Sequence, residues 1–220
     1  MVGFMIEGTR ETDSRRKGER TADRVLDAAE NLFAQKGYEA TALRDVAVAV
    51  SISQPALYKH YASKDDLYRQ VLQRALQPLA DEMEAAVERP ESEGSFHLLT
   101  SRIMDVMAGH PNVAMLLVRS MLSAPSSRDE IGLQWVHRLA NYGRRISLAA
   151  GHGLNSDDLA LHIAAVFNLM FGYFWAAPLL SNLSDRDPLD PAMVERQKSL
   201  LDRFIASLSA QGAERQPAQA

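Results

Sequence analysis

The sequence predicts an all-α protein of about nine helices, with a small three-helix unit at the N-terminus and a larger helical domain after it. Three observations predict this. Apolar residues recur at helical spacing through most of the chain, with no sustained period-two alternation and no Asn-Gly or Asp-Gly hairpin turn. Capping residues, glycines and prolines punctuate these segments at their expected ends. Between Thr41 and Tyr61 lie two segments too short to bury a core, which need a third helix as support.

The elements follow in order. Residues 1–19 are polar, carry Arg10, Arg15, Arg16 and Lys17, and are expected to form a disordered basic arm, either a solvated tail or an extension touching phosphates or the minor groove. Thr21 can cap a first helix, with Val25, Leu26, Ala29, Leu32 and Phe33 on one face and Gly37 ending it. A second helix is expected over 41–50 and a third over 53–61. Ser63, with Asp66 three residues on, opens a long fourth helix that reaches about residue 89 and has a kink expected at Pro78. The stretch 90–95 reads as a linker. Apolar helices are expected at about 96–109, 112–123, 127–151 and 157–183. After the breaker 184–191, a last amphipathic helix aligns Val194, Gln197, Leu200, Leu201, Phe204, Ile205 and Leu208. The expected domains are the arm 1–19, a first domain 20–67, a second domain 68–211 and a disordered tail 212–220.

Composition narrows the function. The chain has 220 residues, 46% hydrophobic, which is ample for a core. It contains no cysteine, which removes disulfides, thiolate metal sites and cysteine nucleophiles, and suits a cytoplasmic location. No long uninterrupted apolar run is present, so no membrane partner is expected, and the first residues are too short and acidic for a secretory signal. The net charge is −4, yet basic residues slightly outnumber acidic ones over 10–69 and the acidic excess lies beyond. A local basic face is what phosphate contact requires, whatever the total charge.

The informative segment runs from Thr41 to Leu67. Val46, Val50, Ile52 and Leu57 supply apolar contacts, and Ala47 is small where two helices must cross. The third helix, left projecting, opens with Ser53-Gln54-Pro55-Ala56, a cap followed by a proline that fixes the first turn. Gln can pair with the N6/N7 edge of adenine, and Ala or Pro can touch a thymine methyl. Tyr58, Lys59, His60 and Lys64 can hold phosphates on either side of a groove, and Thr41 offers a hydroxyl at a helix start.

With Thr41, Val46-Ala47, Ile52-Ser53, Leu57-Tyr58-Lys59-His60-Tyr61, Lys64 and Leu67 at fixed spacing, and Phe33 and Gly37-Tyr38 upstream, residues 21–70 resemble the tetracycline-repressor (TetR) family of transcriptional regulators. The chain departs from that pattern in two places. Val50-Ser51 stands where the family has Ala-Gly, and a serine at the positive φ of such a turn costs roughly 1 kcal/mol. The arm before Thr21 is also longer than the family needs.

The resemblance implies a helix-turn-helix DNA-binding domain and a C-terminal domain for ligand binding and dimerisation. It implies Arg44, Gln54, Pro55, Ala56 and Tyr58 as base readers, and Thr41, Ser53, Lys59, His60, Tyr61 and Lys64 as phosphate contacts. Other roles stay open at this stage: Leu57 and part of Tyr58 as core, Lys59 and Lys64 as solvated charges, Arg44 paired with Asp45.

The resemblance further implies a homodimer formed through the last two long helices, reading a palindromic double-stranded operator as a repressor released by an effector. The aromatic run Phe167, Met170, Phe171, Tyr173, Phe174 and Trp175 is consistent with an intersubunit face or with ordinary core. Met104, Met107, His110, Met115, Trp135, Tyr142, Phe167, Met170, Phe171 and Trp175 are candidates to line a pocket for a small apolar or aromatic effector, with Met121 also available. Arg119, His137, Asn141 and Asn168 are further candidate polar groups. No cofactor or metal is expected. An enzyme is disfavoured: the six histidines are scattered, without HExxH spacing, a Gly-x-Ser-x-Gly elbow or a phosphate-binding glycine loop. A helical adaptor that binds no DNA is the other alternative.

Overall fold

The computed structural model describes residues 5–88, 94–122, 130–149 and 156–214, with side-chain detail over 18–88, 98–122, 130–148 and 157–207. Among the described residues there are ten helices and no strand. They are α1 (Met5–Lys36), α2 (Leu43–Ala49), α3 (Gln54–Tyr58), α4 (Lys64–Glu88), α5 (Gly94–Gly109), α6 (Pro111–Leu122), α7 (Glu130–Ala149), α8 (Ser156–Trp175), α9 (Ala177–Leu183) and α10 (Pro191–Glu214). The chain divides into two compact units, Met1–Gln73 and Arg74–Ala220. That division lies inside α4, six residues beyond the expected one at 67/68.

The first helix departs most from expectation. It begins at Met5 rather than Thr21, so the residues expected as a disordered arm are helical from 5 onward. Nothing in residues 5–20 breaks a helix strongly: there is no proline, and Glu, Arg and Lys are good helix formers. Glu11 precedes Arg15, and Asp13 precedes Lys17, by four residues, the acid-before-base order that supports a helix. The far end is as expected. Gly37 takes φ 85°, its N–H donates to the Phe33 carbonyl at 2.9 Å, and the helix stops.

In the first unit Val25, Ala29 and Phe33 of α1 are buried with Val46 and Ala47 of α2, Leu57 of α3, and Leu67 and Tyr68 of α4. Each large side chain buried in this way contributes about 1.5–3 kcal/mol. Phe33, Tyr38 and Tyr68 form an aromatic cluster, Phe33 meeting Tyr68 edge-on at 4.9 Å and Tyr38 in a near-parallel stack at 5.9 Å. The start of α4 is capped as read: Asp66 N–H donates to Ser63 Oγ at 3.0 Å, and the Asp66 carboxylate accepts from Ala62 N–H at 2.9 Å. Helix α4 continues through Pro78, which has no N–H to offer the Arg74 carbonyl.

In the second unit α6 packs against α7 and α8, and α10 packs against α5 and α8. Leu99, Ile103, Met104 and Met107 of α5, Val113, Leu116 and Leu117 of α6, and Leu139 of α7 are buried there. The single helix expected over 157–183 is two. Ala176 adopts φ −82°, ψ 0°, and α9 restarts with Pro178 in its first turn. Proline fits that turn and cannot donate within a continuing helix, which is why the chain breaks here. Tyr173 anchors the region by donating its hydroxyl to the Pro188 carbonyl. Burial, and secondarily Asp187, raise its pKa above the ordinary 10.0. Of the linker expected over 90–95, residues 90–93 lie outside the described residues, and Gly94 and Ser95 already belong to α5.

Candidate nucleic-acid interface

The site is built around a turn that sequence alone marked as irregular. Helix α2 ends with Val50 as its C-cap, and Ser51 follows at φ 58°, the one non-glycine with positive φ among the described residues. Ser51 N–H donates to the Val48 carbonyl and Ile52 N–H to the Ala47 carbonyl, both at 3.0 Å. This pair of bonds is the Schellman arrangement, with the left-handed residue just past the cap. A serine therefore occupies the position where glycine is easiest, and the turn keeps its geometry.

Ser53 then caps α3, its Oγ accepting from Ala56 N–H at 3.3 Å, with Pro55 in the first turn. The third helix is shorter than expected, Gln54–Tyr58 rather than 53–61. The chain leaves it through single-turn bonds from His60 and Tyr61 back to the Leu57 carbonyl. Leu57 is fully buried and pins the short helix to its unit, so its opposite side faces outward. Ser53, Gln54, Pro55, Tyr58 and Lys59 are exposed and Ala56 and His60 half-buried, Tyr58 at 49% exposure. Arg44 is exposed on α2. The alternative that Asp45 neutralises it is not what the structure shows, because Asp45 pairs with Lys36 at 3.1 Å.

Three of the predicted contact residues are engaged within the fold. Thr41 is 2% exposed, and its hydroxyl lies 2.8 Å from the Gly37 carbonyl and 3.2 Å from that of Leu32, closing the end of α1. The residue at the start of α2 is Ala42, with no side-chain cap. Tyr61 is also 2% exposed and donates to the Ala22 carbonyl at 3.0 Å. Thr41 and Tyr61 are therefore struts of the fold. Lys64 is half-buried, donates to the Glu39 carbonyl at 3.0 Å, and sits 4.4 Å above the Tyr38 ring, whose hydroxyl donates to Asp65. Sequence reading passed over two residues that touch this region. Arg24 reaches from α1 to the Val50 carbonyl at 2.9 Å, and Val48 is exposed beside Arg44 in an open depression that Leu32, Lys36 and Asp45 also line. An arginine just before the apolar run of α1 was the available signal for the first.

The ligand candidates fall in the second unit. Met104 and Met107 lie on α5, His110 between α5 and α6, Met115 on α6, Trp135 and Tyr142 on α7, and Phe167, Met170, Phe171 and Trp175 on α8. Met104, Met107, Trp135, Tyr142, Met170 and Phe171 are buried, whereas His110, Met115 and Phe167 are half-buried. Phe167 stacks on Phe171 at 4.2 Å. Arg138 lies over Trp135 at 4.9 Å, and the Tyr142 hydroxyl donates to Glu84 at 3.2 Å. Trp175 is 51% exposed and turned away from the interior. Arg119, His137, Asn141 and Asn168 are exposed, and so is Met121. The buried polar residues of this unit are instead Thr100, Ser120 and Lys198. Lys198 donates to Asp105 at 2.5 Å and Glu195 at 2.6 Å; burial opposes its charge, but the two carboxylates outweigh burial and raise its pKa.

Helix α8 is apolar without being enclosed. Asp157–Trp175 is long and apolar enough to cross a membrane by length and composition, and 22% of that stretch is buried. Leu161 and Trp175 on α8, Leu179 and Leu183 on α9, and Leu200 on α10 are exposed. Leu200 thereby leaves the buried stripe expected for α10, whereas Val194 and Leu201 stay in it.

Residues 25–71 match the family described as bacterial regulatory proteins, tetR family. The chain is similar to the biofilm operon icaADBC HTH-type negative transcriptional regulator IcaR of Staphylococcus epidermidis, with 36% identity over 59 residues, 27% of this chain and 32% of the relative. Its counterpart in Staphylococcus aureus is 44% identical over 48 residues, 22% of this chain and 26% of the relative. The chain thus spans a third or less of the length of these curated relatives. Solved structures extend the likeness in fold alone. The TetR family transcriptional regulator PfmR from Thermus thermophilus aligns with a TM-score of 0.59 and 23% identity over 81% of this chain and 95% of that one. A TetR-like transcriptional regulator from Rhodococcus sp. RHA1 aligns with a TM-score of 0.60 and 19% identity over 89% and 97%.

Proposed function

We propose that this chain, whose residues 25–71 match the family described as bacterial regulatory proteins, tetR family, is a sequence-specific, DNA-binding transcriptional repressor of that family. The observation that carries the proposal is the pinned, outward-facing α3. Leu57 is buried behind it, the turn at Ser51 is fixed by two backbone bonds, and Gln54, Pro55 and Tyr58 are left exposed in front. A short helix held this way presents side chains to the edges of bases in a major groove. Arg44, Ser53, Ala56, Lys59, His60 and Lys64 flank it as the remaining base and backbone contacts.

The repressor acts as a homodimer in this proposal. The exposed apolar residues of α8, α9 and α10 support that reading, because a helix as apolar as α8 with so little of it buried gains stability from a second copy. Two recognition helices then match a palindromic operator with half-sites about one helical turn apart. The second unit takes a small apolar or aromatic effector among α5–α8, with Met104, Met107, His110, Met115, Phe167, Met170 and Phe171 as candidate walls. Trp175 suits the subunit interface better. The effector weakens DNA binding by favouring one arrangement of the dimer over another.

The test is titration of the purified protein onto the duplex upstream of its own coding sequence. Binding at low salt that falls steeply as salt rises supports the proposal. No retention of that duplex at low salt contradicts it.

A further inference from the structure

Helix α3 is too small to set its own direction. It has five residues, and Leu57 is the one among them that is buried. A single buried side chain pins the helix at one point and leaves rotation about that point to be fixed by the chain on either side. That rotation matters for reading bases. An α-helix is about 10–12 Å across with its side chains, so a tip about 5.5 Å from the axis moves about 1 Å for a turn of about 10°. A hydrogen bond with a working range of about 2.7–3.2 Å does not survive such a shift.

Both flanks of α3 are tied to one turn of α1. On the near side α2 stops at Val50, which is buried. The N–H groups of Ile52 and Ser51 take the Ala47 and Val48 carbonyls. Arg24 supplies the donor for the Val50 carbonyl, with Nη2 at 2.9 Å in a part-buried bond. A guanidinium there also suits the negative end of α2. On the far side the buried Tyr61 donates its hydroxyl to the Ala22 carbonyl at 3.0 Å. Val25, next to Arg24, is fully buried and fixes α1 itself. Resting on the DNA-binding reading above, we propose that Arg24 is a positioning residue for DNA recognition: with Tyr61 it forms a clamp through which α1 sets the angle at which α3 meets the bases.

The turn that the clamp holds contains Ser51 at φ 58°. An L-residue favours other conformations, so this turn has a stronger tendency to rearrange than one built on glycine, and the bond from Arg24 opposes it. Arg24 is exposed as a whole, and an arginine beside a reading helix can instead meet a phosphate. The two roles leave different marks. A phosphate contact adds affinity and salt dependence on any sequence. The clamp touches no DNA and acts only on the preference for one sequence over another.

The experiment uses the full chain and two duplexes, one that the parent enriches from a random pool and one of mixed sequence. It compares the parent with Arg24→Met, Arg24→Lys and Tyr61→Phe, each held well below its melting midpoint. Arg24→Met removes the donor and should lower the ratio of the two affinities about fivefold or more, the lower range for one base-reading pair. Arg24→Lys keeps a cation and a donor at the end of α2 and should recover most of that ratio. Tyr61→Phe releases the other flank without changing a charge and should lower the ratio as well. The slope of log K against log salt on the mixed-sequence duplex should stay that of the parent in all three. A merely structural role would lower the melting midpoint and leave the ratio alone. A parent-like ratio in Arg24→Met or in Tyr61→Phe therefore overturns the clamp. So does a slope lower by about 0.9 in Arg24→Met, which makes Arg24 a phosphate contact. An Arg24→Met protein too unstable to assay leaves Tyr61→Phe to decide by the same ratio. If Gln54→Ala alone loses preference, the clamp falls and the regulator reading stands. A parent that enriches nothing from the pool overturns both.

Discussion

Replacing Ser51 with glycine should stabilise the protein, because a side chain is held there where the backbone is left-handed. At φ 58° the Cβ meets the carbonyl side of the backbone, a cost of roughly 1–2 kcal/mol for an L-residue. Glycine removes that cost but gives the unfolded chain more freedom, which returns about 0.4–1 kcal/mol. Ser51 is exposed, so little packing is lost. The net gain is about 0.5–1 kcal/mol, or roughly 2–6 °C in Tm if the first unit melts by itself. Ser51→Val goes the other way and costs about 1–2 kcal/mol, since a β-branched residue is poorly suited to this conformation. Urea melts followed by circular dichroism measure both. DNA affinity should be unchanged in Ser51→Gly, because both backbone bonds of the turn remain available. A Ser51→Gly protein less stable than the parent, or a Ser51→Val protein as stable, would refute the reasoning.

Other consequences concern burial and charge. Thr41→Val leaves the Gly37 and Leu32 carbonyls without their hydroxyl partner, and Tyr61→Phe does the same at Ala22; each should cost about 1–2 kcal/mol in urea melts. Neither should lower the salt slope of DNA binding, and a Tyr61→Phe protein of unchanged stability but reduced slope would restore Tyr61 as a phosphate contact. Trp175→Arg combined with Leu183→Arg should convert the proposed dimer to a monomer in analytical ultracentrifugation; a variant that stays dimeric places the interface elsewhere. Lys198→Met should cost about 1 kcal/mol, since it leaves Asp105 and Glu195 largely solvated. Folded Lys198 holds its proton more tightly than the unfolded residue. The difference between parent and variant should therefore be complete below the ordinary lysine value of 10.5 and fade as pH rises through the higher folded value. A gap that disappears instead on acidification to pH 7 would contradict this sign.

The helical class was legible because it is written in periodicity and in breakers. Gly37, Ser53-Gln54-Pro55 and Ser63-x-x-Asp66 each act where their local chemistry says they should. The exposed face of α3 was legible too, since the exposure of Gln54, Pro55 and Tyr58 is a short-range consequence of a capped turn with Leu57 buried behind it. The structural roles of Thr41 and Tyr61 were not legible, for one physical reason. A hydroxyl suits a phosphate and a buried carbonyl equally well, and the choice depends on Gly37, Leu32 and Ala22, all distant in sequence or hidden from a pattern search. The start of α1 was missed because Thr21 is a good cap, but residues 5–20 never supply a reason for the helix to begin there. Leu200 and Trp175 look like core by composition, and only packing shows that they face outward. The break at Ala176 needed Pro178 to be weighed against an apolar run that is continuous in composition.

The central claim is that α3 reads sequence on behalf of a pair of subunits, and selection from a random duplex pool tests it most directly. The parent should enrich an inverted repeat with half-sites about one helical turn apart, and Gln54→Ala should lose about 1–3 kcal/mol of preference at one base pair of each half-site. A pool that stays random with the parent, or a Gln54→Ala protein that enriches the same repeat with the same preferences, would contradict the account.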